Sequence, residues 1–336
     1  MDPSLYRTLK TSRGYTYSYF VSTSKSTAKP TLLFLHGFPS TSYDWHYQAQ
    51  YFASRGHGVI IPDMLGYGGS DKPTDPLSYR SSLVTRDLIE ILDKEGIKKV
   101  VGIGHDLGCL FLSRLASYFP ERISAYAFFA GAYIPVYPDL SAQALNTYLK
   151  ARHGYDIYGY WFFFNREDAG TLIEKNFQTF FSIMYPHEPS IWRTHMGPMN
   201  AFYTSVLNGE TFKKDKPDWM SEEHKNHIWE SLRVEEGGEI EAPLSWYKLA
   251  TSREFGQDDS SIPQTNLFPP STSSIFFGAA KQDCICVSTD GVESFETDAW
   301  KDHKVTIREY EGDHWLILSC HEEVDKDLEE WIGSLL

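Results

Sequence analysis

The sequence predicts an α/β domain with a mostly parallel central sheet flanked by helices and interrupted by a long helical insertion. Three observations carry that reading. Short β-branched, apolar runs alternate with helical patterns through the first third of the chain. The alternation breaks between Tyr133 and about Pro270, where helical segments and aromatic residues crowd together with few strand signals. Strand signals then return before a final helix, so one β/α core is entered twice.

Taken in order, Tyr15 to Val21 alternates aromatic and polar residues, which predicts an antiparallel strand near the sheet edge. Thr31 to Leu35 and Val59 to Ile61 read as buried strands, and Tyr79 to Glu95 as a helix. Val100 to Ile103 is a fourth apolar strand, and Leu110 to Ala116 a helix closed by Pro120. Ser124 to Ala130 follows as a strand. After the insertion come strands at Ser274 to Phe277 and Val305 to Tyr310, then a helix from about Glu323 to Leu335. Pro269-Pro270 followed by Ser271-Thr272-Ser273 marks the return linker. The expected division is core 1–132, helical cap 133–270 and core again 271–336. Because the insertion enters just after the strand that ends at Ala130, it is expected to cover the turn at residue 106 as a lid.

Composition narrows the function. With 41% hydrophobic and 15% aromatic residues the chain can bury a large core. A net charge of −14 argues against nucleic acid and anionic membrane as partners. Met1 to Thr11 has no apolar core of the kind a signal peptide carries, and no stretch is long and apolar enough to span a bilayer. A cytoplasmic location is expected. The four cysteines are too few for a disulfide scaffold, and Cys284 and Cys286 have no neighbours at metal-ligand spacing, so all four are read as reduced thiols. No metal and no organic cofactor is expected.

The most telling segment is Gly104-His105-Asp106-Leu107-Gly108-Cys109, set between a strand and a helix. Strand, Gly-x-nucleophile-x-Gly, helix is the layout of a nucleophile elbow, a strained turn that holds one side chain out above the sheet. Aspartate at that position changes the chemistry. A carboxylate displaces a leaving group from a saturated carbon and forms an ester, which water then cleaves. Epoxides and alkyl halides suit such an attack; amides do not.

Three other features follow strands in the same way. His36-Gly37-Phe38-Pro39 comes after the strand ending at Leu35, Asp283 after the strand at Ser274, and His314, in Glu311-Gly312-Asp313-His314-Trp315, after the strand ending at Tyr310. Sites in open α/β sheets lie at the carboxyl ends of strands, and nucleophile, acid, histidine is the chain order expected of an elbow enzyme. Asp290 and Asp313 are competing carboxylates for the acid, with Asp313 read as a turn residue. The strand ending at Ala130 is followed by Gly131 and Ala132, which offer none. His105, next to the nucleophile, and His36 are read as structural, and the glycines at 66, 68 and 69 as a tight turn.

Taken together, His-Gly-Phe-Pro, Gly-His-Asp-x-Gly, Gly66-Tyr67-Gly68-Gly69-Ser70 and Gly-Asp-His-Trp resemble the epoxide hydrolase branch of the α/β-hydrolase fold. The likeness runs over nearly the whole chain. It is greatest to the soluble enzymes of that branch, with a lid similar to that of fungal members. The resemblance implies a hydrolase acting on ether bonds. Asp106 would be the nucleophile, His314 the base oriented by Asp283, and the N–H groups of Phe38 and Leu107 the oxyanion hole. It also implies two lid tyrosines that hold the epoxide oxygen. Tyr247, in Leu244-Ser245-Trp246-Tyr247-Lys248, matches one; Tyr160 matches the other, with Tyr158 as the alternative register. A phenol, with a pKa of ~10, is protonated at neutral pH and can donate to a developing alkoxide. Trp161, Phe38, Leu107 and Trp315 are expected to wall the pocket. The implied partners are a small apolar epoxide and water, for a monomer or homodimer.

One departure bears on substrate choice: the family usually carries Trp after the nucleophile, and here Leu107 stands there. Haloalkane dehalogenases, which share the aspartate nucleophile, hold halide with that Trp. They are the alternative reading, with Trp161 as a residue that could still serve a halide. A non-catalytic, ligand-binding member of the fold is the third.

Overall fold

The computed structural model describes residues 1–24, 28–136, 141–232 and 240–336. Within them eight strands form one sheet: β1 (Tyr6–Lys10), β2 (Thr16–Ser22), β3 (Thr31–Leu35), β4 (Gly58–Pro62), β5 (Val100–His105), β6 (Ile123–Phe129), β7 (Ser274–Ala280) and β8 (Lys304–Tyr310). Their order is β1-β2-β4-β3-β5-β6-β7-β8. The first two pairings, β1 with β2 and β2 with β4, are antiparallel; all the others are parallel. Every residue of β4 and β5 is buried, as continuous apolar runs require when helices cover both faces.

The sequence reading missed β1. That strand lies at the sheet edge with three of its five residues exposed, so it lacks the apolar alternation that betrays a half-buried strand. The aromatic segment read as an antiparallel strand near the sheet edge is β2, second in the sheet and antiparallel to both its neighbours. The helix after the elbow begins earlier than its apolar core suggests, running from Leu107 to Tyr118.

Parallel order and register collect the loops that matter. Leu35 pairs with Gly104 and His105 with Phe129, so the segments leaving β3, β5 and β6 emerge side by side. Phe129 pairs with Gly278 and Ala280 with Tyr310, which adds the exits of β7 and β8 to the same rim.

Between β6 and β7 the described residues form α-helices and no strand. The expected cap, 133–270, includes 137–140 and 233–239, which lie outside the described residues. Specific bonds seat this insertion on the rim. Tyr185 donates to the Pro39 carbonyl, Trp246 Nε1 to Leu65 O at 3.1 Å, and Trp315 Nε1 reaches up to Met184 O at 3.0 Å. His224 Nε2 lies 2.7 Å from Asp44, buried below it.

Arg114, on the elbow helix, is fully buried and grips both ends of the insertion. Its Nε donates to Asp259 Oδ2 at 2.6 Å, and its Nη1 to the Ile134 carbonyl at 2.6 Å. No helix among the described residues is long and apolar enough to cross a membrane.

Candidate active site

The elbow is built from close approaches. Asp106 holds φ 53° and ψ −125°, a conformation that costs an L-residue of order 1–3 kcal/mol and persists only where its surroundings impose it. Here the surroundings are glycines. A Cβ on Gly108 would stand 2.1 Å from the Leu35 carbonyl oxygen, and one on Gly104 2.9 Å from the Gly108 backbone. The elbow helix therefore packs against β3 and β5 with no side chain between, and the strained residue is held between them. Asp106 N donates to Phe129 O at 3.2 Å, and its carbonyl accepts from Cys109 N at 2.9 Å.

The carboxylate so displayed meets two of the predicted groups directly. Its Oδ1 accepts from the Phe38 N–H at 2.8 Å, and its Oδ2 lies 3.5 Å from His314 Nε2. The other nitrogen of His314, Nδ1, is 2.7 Å from Asp283 Oδ2. Asp283 is fixed in turn: its Oδ1 accepts from the N–H groups of Ile285 and Cys286, both at 2.9 Å. Asp106, His314 and Asp283 thus form one chain of contacts. Both competing carboxylates are engaged elsewhere. Asp290 pairs with Arg152 and His153, each at 2.7 Å. Asp313 caps the turn it sits in, accepting from Trp315 N at 3.0 Å.

Electrostatics follow from this geometry. Burial pushes the Asp106 carboxyl up, but the hydrogen bond and charge of His314 outweigh it and hold the group below the ordinary carboxylate range. Burial pushes His314 down, yet the adjoining charge of Asp283 and the hydrogen bonds to Asp106 and Asp283 raise it well above the usual imidazole value. The resting pair is therefore carboxylate and imidazolium. The expected brace residues act as such. His105 Nε2 donates to the His314 carbonyl at 2.8 Å, and burial pushes its pKa down to about 4, so it is neutral at pH 7. His36 donates from Nδ1 to Gly37 O at 2.9 Å and accepts from Met64 N at Nε2, also at 2.9 Å.

A cavity of about 350 Å³ opens above Asp106, walled by Leu107, Trp161, Tyr158, Tyr160 and Tyr247 among others. Tyr160 and Tyr247 stand edge to face with ring centroids 5.8 Å apart. Tyr158 stacks on Trp161 at 4.7 Å and also reaches the wall. Burial raises both Tyr160 and Tyr247 well above the ordinary phenol value and keeps them protonated, with the Asp106 charge next for Tyr160 and the neighbouring Tyr160, then Asp106, for Tyr247. The Trp161 indole N–H is buried, makes no close hydrogen bond among the described residues, and acts on the Tyr160 phenol beside it.

Two wall assignments need correction. Trp315 does not line the cavity: its ring stacks on Tyr185 at 4.4 Å and its N–H is taken by Met184 O, so it packs behind the His314 ring, edge to face at 5.2 Å. Phe38 presents its N–H to Asp106, but its ring packs against Tyr247 and Phe164, at 5.0 and 5.1 Å, and is not part of the cavity wall.

Sequence reasoning also missed Cys286. Its thiol lines the cavity and belongs with Asp283 and His314 to a group whose ligand atoms lie within 4.8 Å of one another. Burial pushes that thiol up to about 12, so it is protonated. Its position three residues after the acid was the available signal. All four cysteines are free thiols.

Comparison with known proteins bears on this geometry. Residues 30–204 match the model of the alpha/beta hydrolase fold family. Among curated proteins, a stretch covering 65% of this chain and 38% of the relative is 30% identical to bifunctional epoxide hydrolase 2 of Rattus norvegicus. Another, covering 32% of this chain and 34% of the relative, is 39% identical to epoxide hydrolase 3 of Siraitia grosvenorii. The chain thus spans only about a third of the length of these curated relatives. Among solved structures, an epoxide hydrolase from Vigna radiata superposes with TM-score 0.74 at 21% identity, covering 99% of this chain and 100% of that one. Epoxide hydrolase A from Mycobacterium thermoresistibile does so with TM-score 0.74 at 22% identity, covering 96% of each. At such identity the superpositions speak for the fold alone. Sheet order, elbow and family match agree: the chain belongs to the α/β-hydrolase fold family.

Proposed function

We propose that the protein is an epoxide hydrolase working through a covalent ester on Asp106. The observation that carries this is the carboxylate at the elbow, 3.5 Å from His314 and facing a cavity into which two buried, protonated tyrosines look. The names of the matched relatives point the same way.

In this reading the ionised Asp106 attacks one ring carbon, the C–O bond breaks, and Tyr160 and Tyr247 donate to the leaving oxygen. Ester formation neutralises Asp106. It removes one of the two anions that hold the proton on His314, so the imidazolium gives that proton up to the alkoxide by way of the tyrosine hydroxyls, leaving a hydroxy ester, protonated tyrosines and a neutral imidazole that can serve as base. Held by Asp283, it then takes a proton from water as that water adds to the ester carbonyl. The N–H groups of Phe38 and Leu107 stabilise the tetrahedral oxyanion, each worth about 3 kcal/mol by comparison with donors removed from other enzymes. Collapse frees a vicinal diol and restores the carboxylate. Leu107 is the first residue of its helix, so its N–H has no acceptor within that helix. Tyr160 is preferred over Tyr158 because it abuts Tyr247 directly. The division into core 1–132, cap 133–270 and core 271–336, a cytoplasmic location, and a monomer or homodimer complete the proposal.

The competing reading is halide displacement. One observation favours it: the buried Trp161 N–H on the cavity wall, which makes no close hydrogen bond and acts only on the Tyr160 phenol. Leu107 supplies no side-chain donor opposite it, so a halide would have one indole where two donors are wanted.

A single turnover of a small terminal epoxide in heavy-oxygen water, with enzyme in excess, separates the possibilities. The label is expected in the Asp106 carboxylate and not in the diol. Label passing directly into the diol would mean attack by water without an ester. Halide release from haloalkanes outpacing every epoxide would favour the alternative.

A further inference from the structure

The cavity reaches from Asp106 along the elbow helix as far as Arg114. The residue pairs that build it repeat a helical spacing. Leu107, Leu110 and Arg114 project from one face of the elbow helix, and Ala142, Leu145 and Leu149 from one face of the helix Ala142–His153. Each set follows i, i+3, i+7, so each is a single stripe, and the two stripes bound one channel. From Asp106 to Arg114 the channel runs ~12 Å along the helix axis, at ~1.5 Å per residue.

On the other side of Asp106 the space is filled. Phe38 packs on Phe164 at 5.1 Å and on Phe180 at 6.2 Å. Phe202 closes on both Phe164 and Phe180, at 5.3 and 5.9 Å. Trp192 covers the His314 ring at 5.0 Å. These aromatics are buried and belong to the core cluster rather than to the cavity wall. None of these aromatics lines the cavity above Asp106.

The charges on the channel are already matched. Arg114, at the far end, is paired with Asp259 at 2.6 Å, both buried. Asp290, on the opposite wall, is paired with Arg152 and His153. A buried charge on the ligand would find no free counter-charge there and would bear its full desolvation cost. The rest of the wall is mainly apolar.

On the reading that this site opens epoxides, we infer that it takes a terminal epoxide bearing a single unbranched, uncharged apolar chain. The ring sits at Asp106, Tyr160 and Tyr247, and the chain lies between the two leucine stripes, with its end short of Arg114. A cavity of about 350 Å³ falls within the usual size range of small-molecule sites. An internal epoxide of the same size, with a chain on each ring carbon, would drive one of them into the Phe38–Phe164–Phe180 cluster.

The test compares kcat/KM of the wild-type enzyme for 1,2-epoxyoctane, for the internal isomer 4,5-epoxyoctane, for 7,8-epoxyoctanoate and for 1,2-epoxypropane. The terminal hydrocarbon is expected to exceed both its internal isomer and the carboxylate at least tenfold. Leu145→Trp, which fills the channel, is expected to lower the ratio of kcat/KM for 1,2-epoxyoctane to that for 1,2-epoxypropane at least tenfold. Equal or faster turnover of the internal isomer or the carboxylate overturns the inference and leaves the activity standing. Hydrolysis of none of the four overturns both. The wild-type comparison decides the matter even if the variant fails to fold.

Discussion

Replacing His314 with glutamine tests the division of labour between the two steps. The amide keeps a polar group near Asp106 and Asp283 but cannot take a proton from water. Loss of a general base costs ~10²–10⁴ in the step it serves, which here is ester hydrolysis. Ester formation needs only the ionised carboxylate and the tyrosines. Suppose formation is ten times slower than hydrolysis in the wild type. A hundredfold loss in the second step would still leave about nine-tenths of the enzyme as ester during turnover. The pH dependence of formation has a definite sign. His314 is what overcomes the upward push of burial on Asp106. Without it the carboxyl titrates higher, so adduct formation should begin to slow at a higher pH in the variant than in the wild type as the solution is made more acid. Mixing the variant with a small terminal epoxide and reading intact mass should show enzyme plus one substrate, mapped by digestion to Asp106. An unmodified mass where binding is shown by calorimetry, or diol released at the wild-type rate, would refute the assignment of His314 as base.

Other outcomes follow from the same geometry. Tyr160→Phe and Tyr247→Phe each remove one donor to a developing charge, at about 1.5–3 kcal/mol, and the double variant should lose at least a hundredfold in kcat if the two add. Steady-state assays check this, and a harmless Tyr160→Phe beside a damaging Tyr158→Phe would move the role to Tyr158. The Asp106–His314–Asp283 chain should also make folding stability depend on pH. His314 binds its proton more tightly folded than unfolded, so the stability it adds is whole below the ordinary value of 6.5 and is lost as pH rises through the higher folded value. The melting temperature of the wild type should therefore fall relative to His314→Gln between pH 6 and pH 9, and a widening gap in favour of the wild type would contradict the raised imidazole. Gly108→Ala places a Cβ 2.1 Å from the Leu35 carbonyl, so the variant should lose on the order of 1–3 kcal/mol in denaturant unfolding or fail to accumulate.

The elbow was legible in the sequence because its physics is local: glycines two residues either side of Asp106, a β-branched strand before it and an apolar helix after it. Asp283 and His314 were legible because chain order on a parallel sheet delivers strand exits to one rim. The cavity was not. Leu110, Leu145 and Leu149 look the same in sequence whether they face packed neighbours or an open channel, since helical periodicity reports burial and not what fills the space. Trp315 was misplaced because adjacency to His314 along the chain says nothing about which way the next side chain turns. β1 escaped because an exposed edge strand has little apolar pattern to read. The Arg114–Asp259 contact joins residues 145 positions apart and leaves no mark at either one.

That last contact has a mechanical consequence. One guanidinium holds the segment where the chain leaves the sheet, at Ile134, and the segment where it prepares to return, at Asp259. Both stalks of the insertion are thereby riveted to the helix that carries the nucleophile. Stripping one partner from such a buried pair costs about 3–5 kcal/mol, so a swing of the whole insertion about its stalks would be a rare event. Traffic of substrate and product must then depend on smaller movements further out, while the distance between nucleophile and stalks stays constant. An engineer grafting a different insertion onto this sheet would have to carry Asp259 across with it, or rebuild the seam around Arg114.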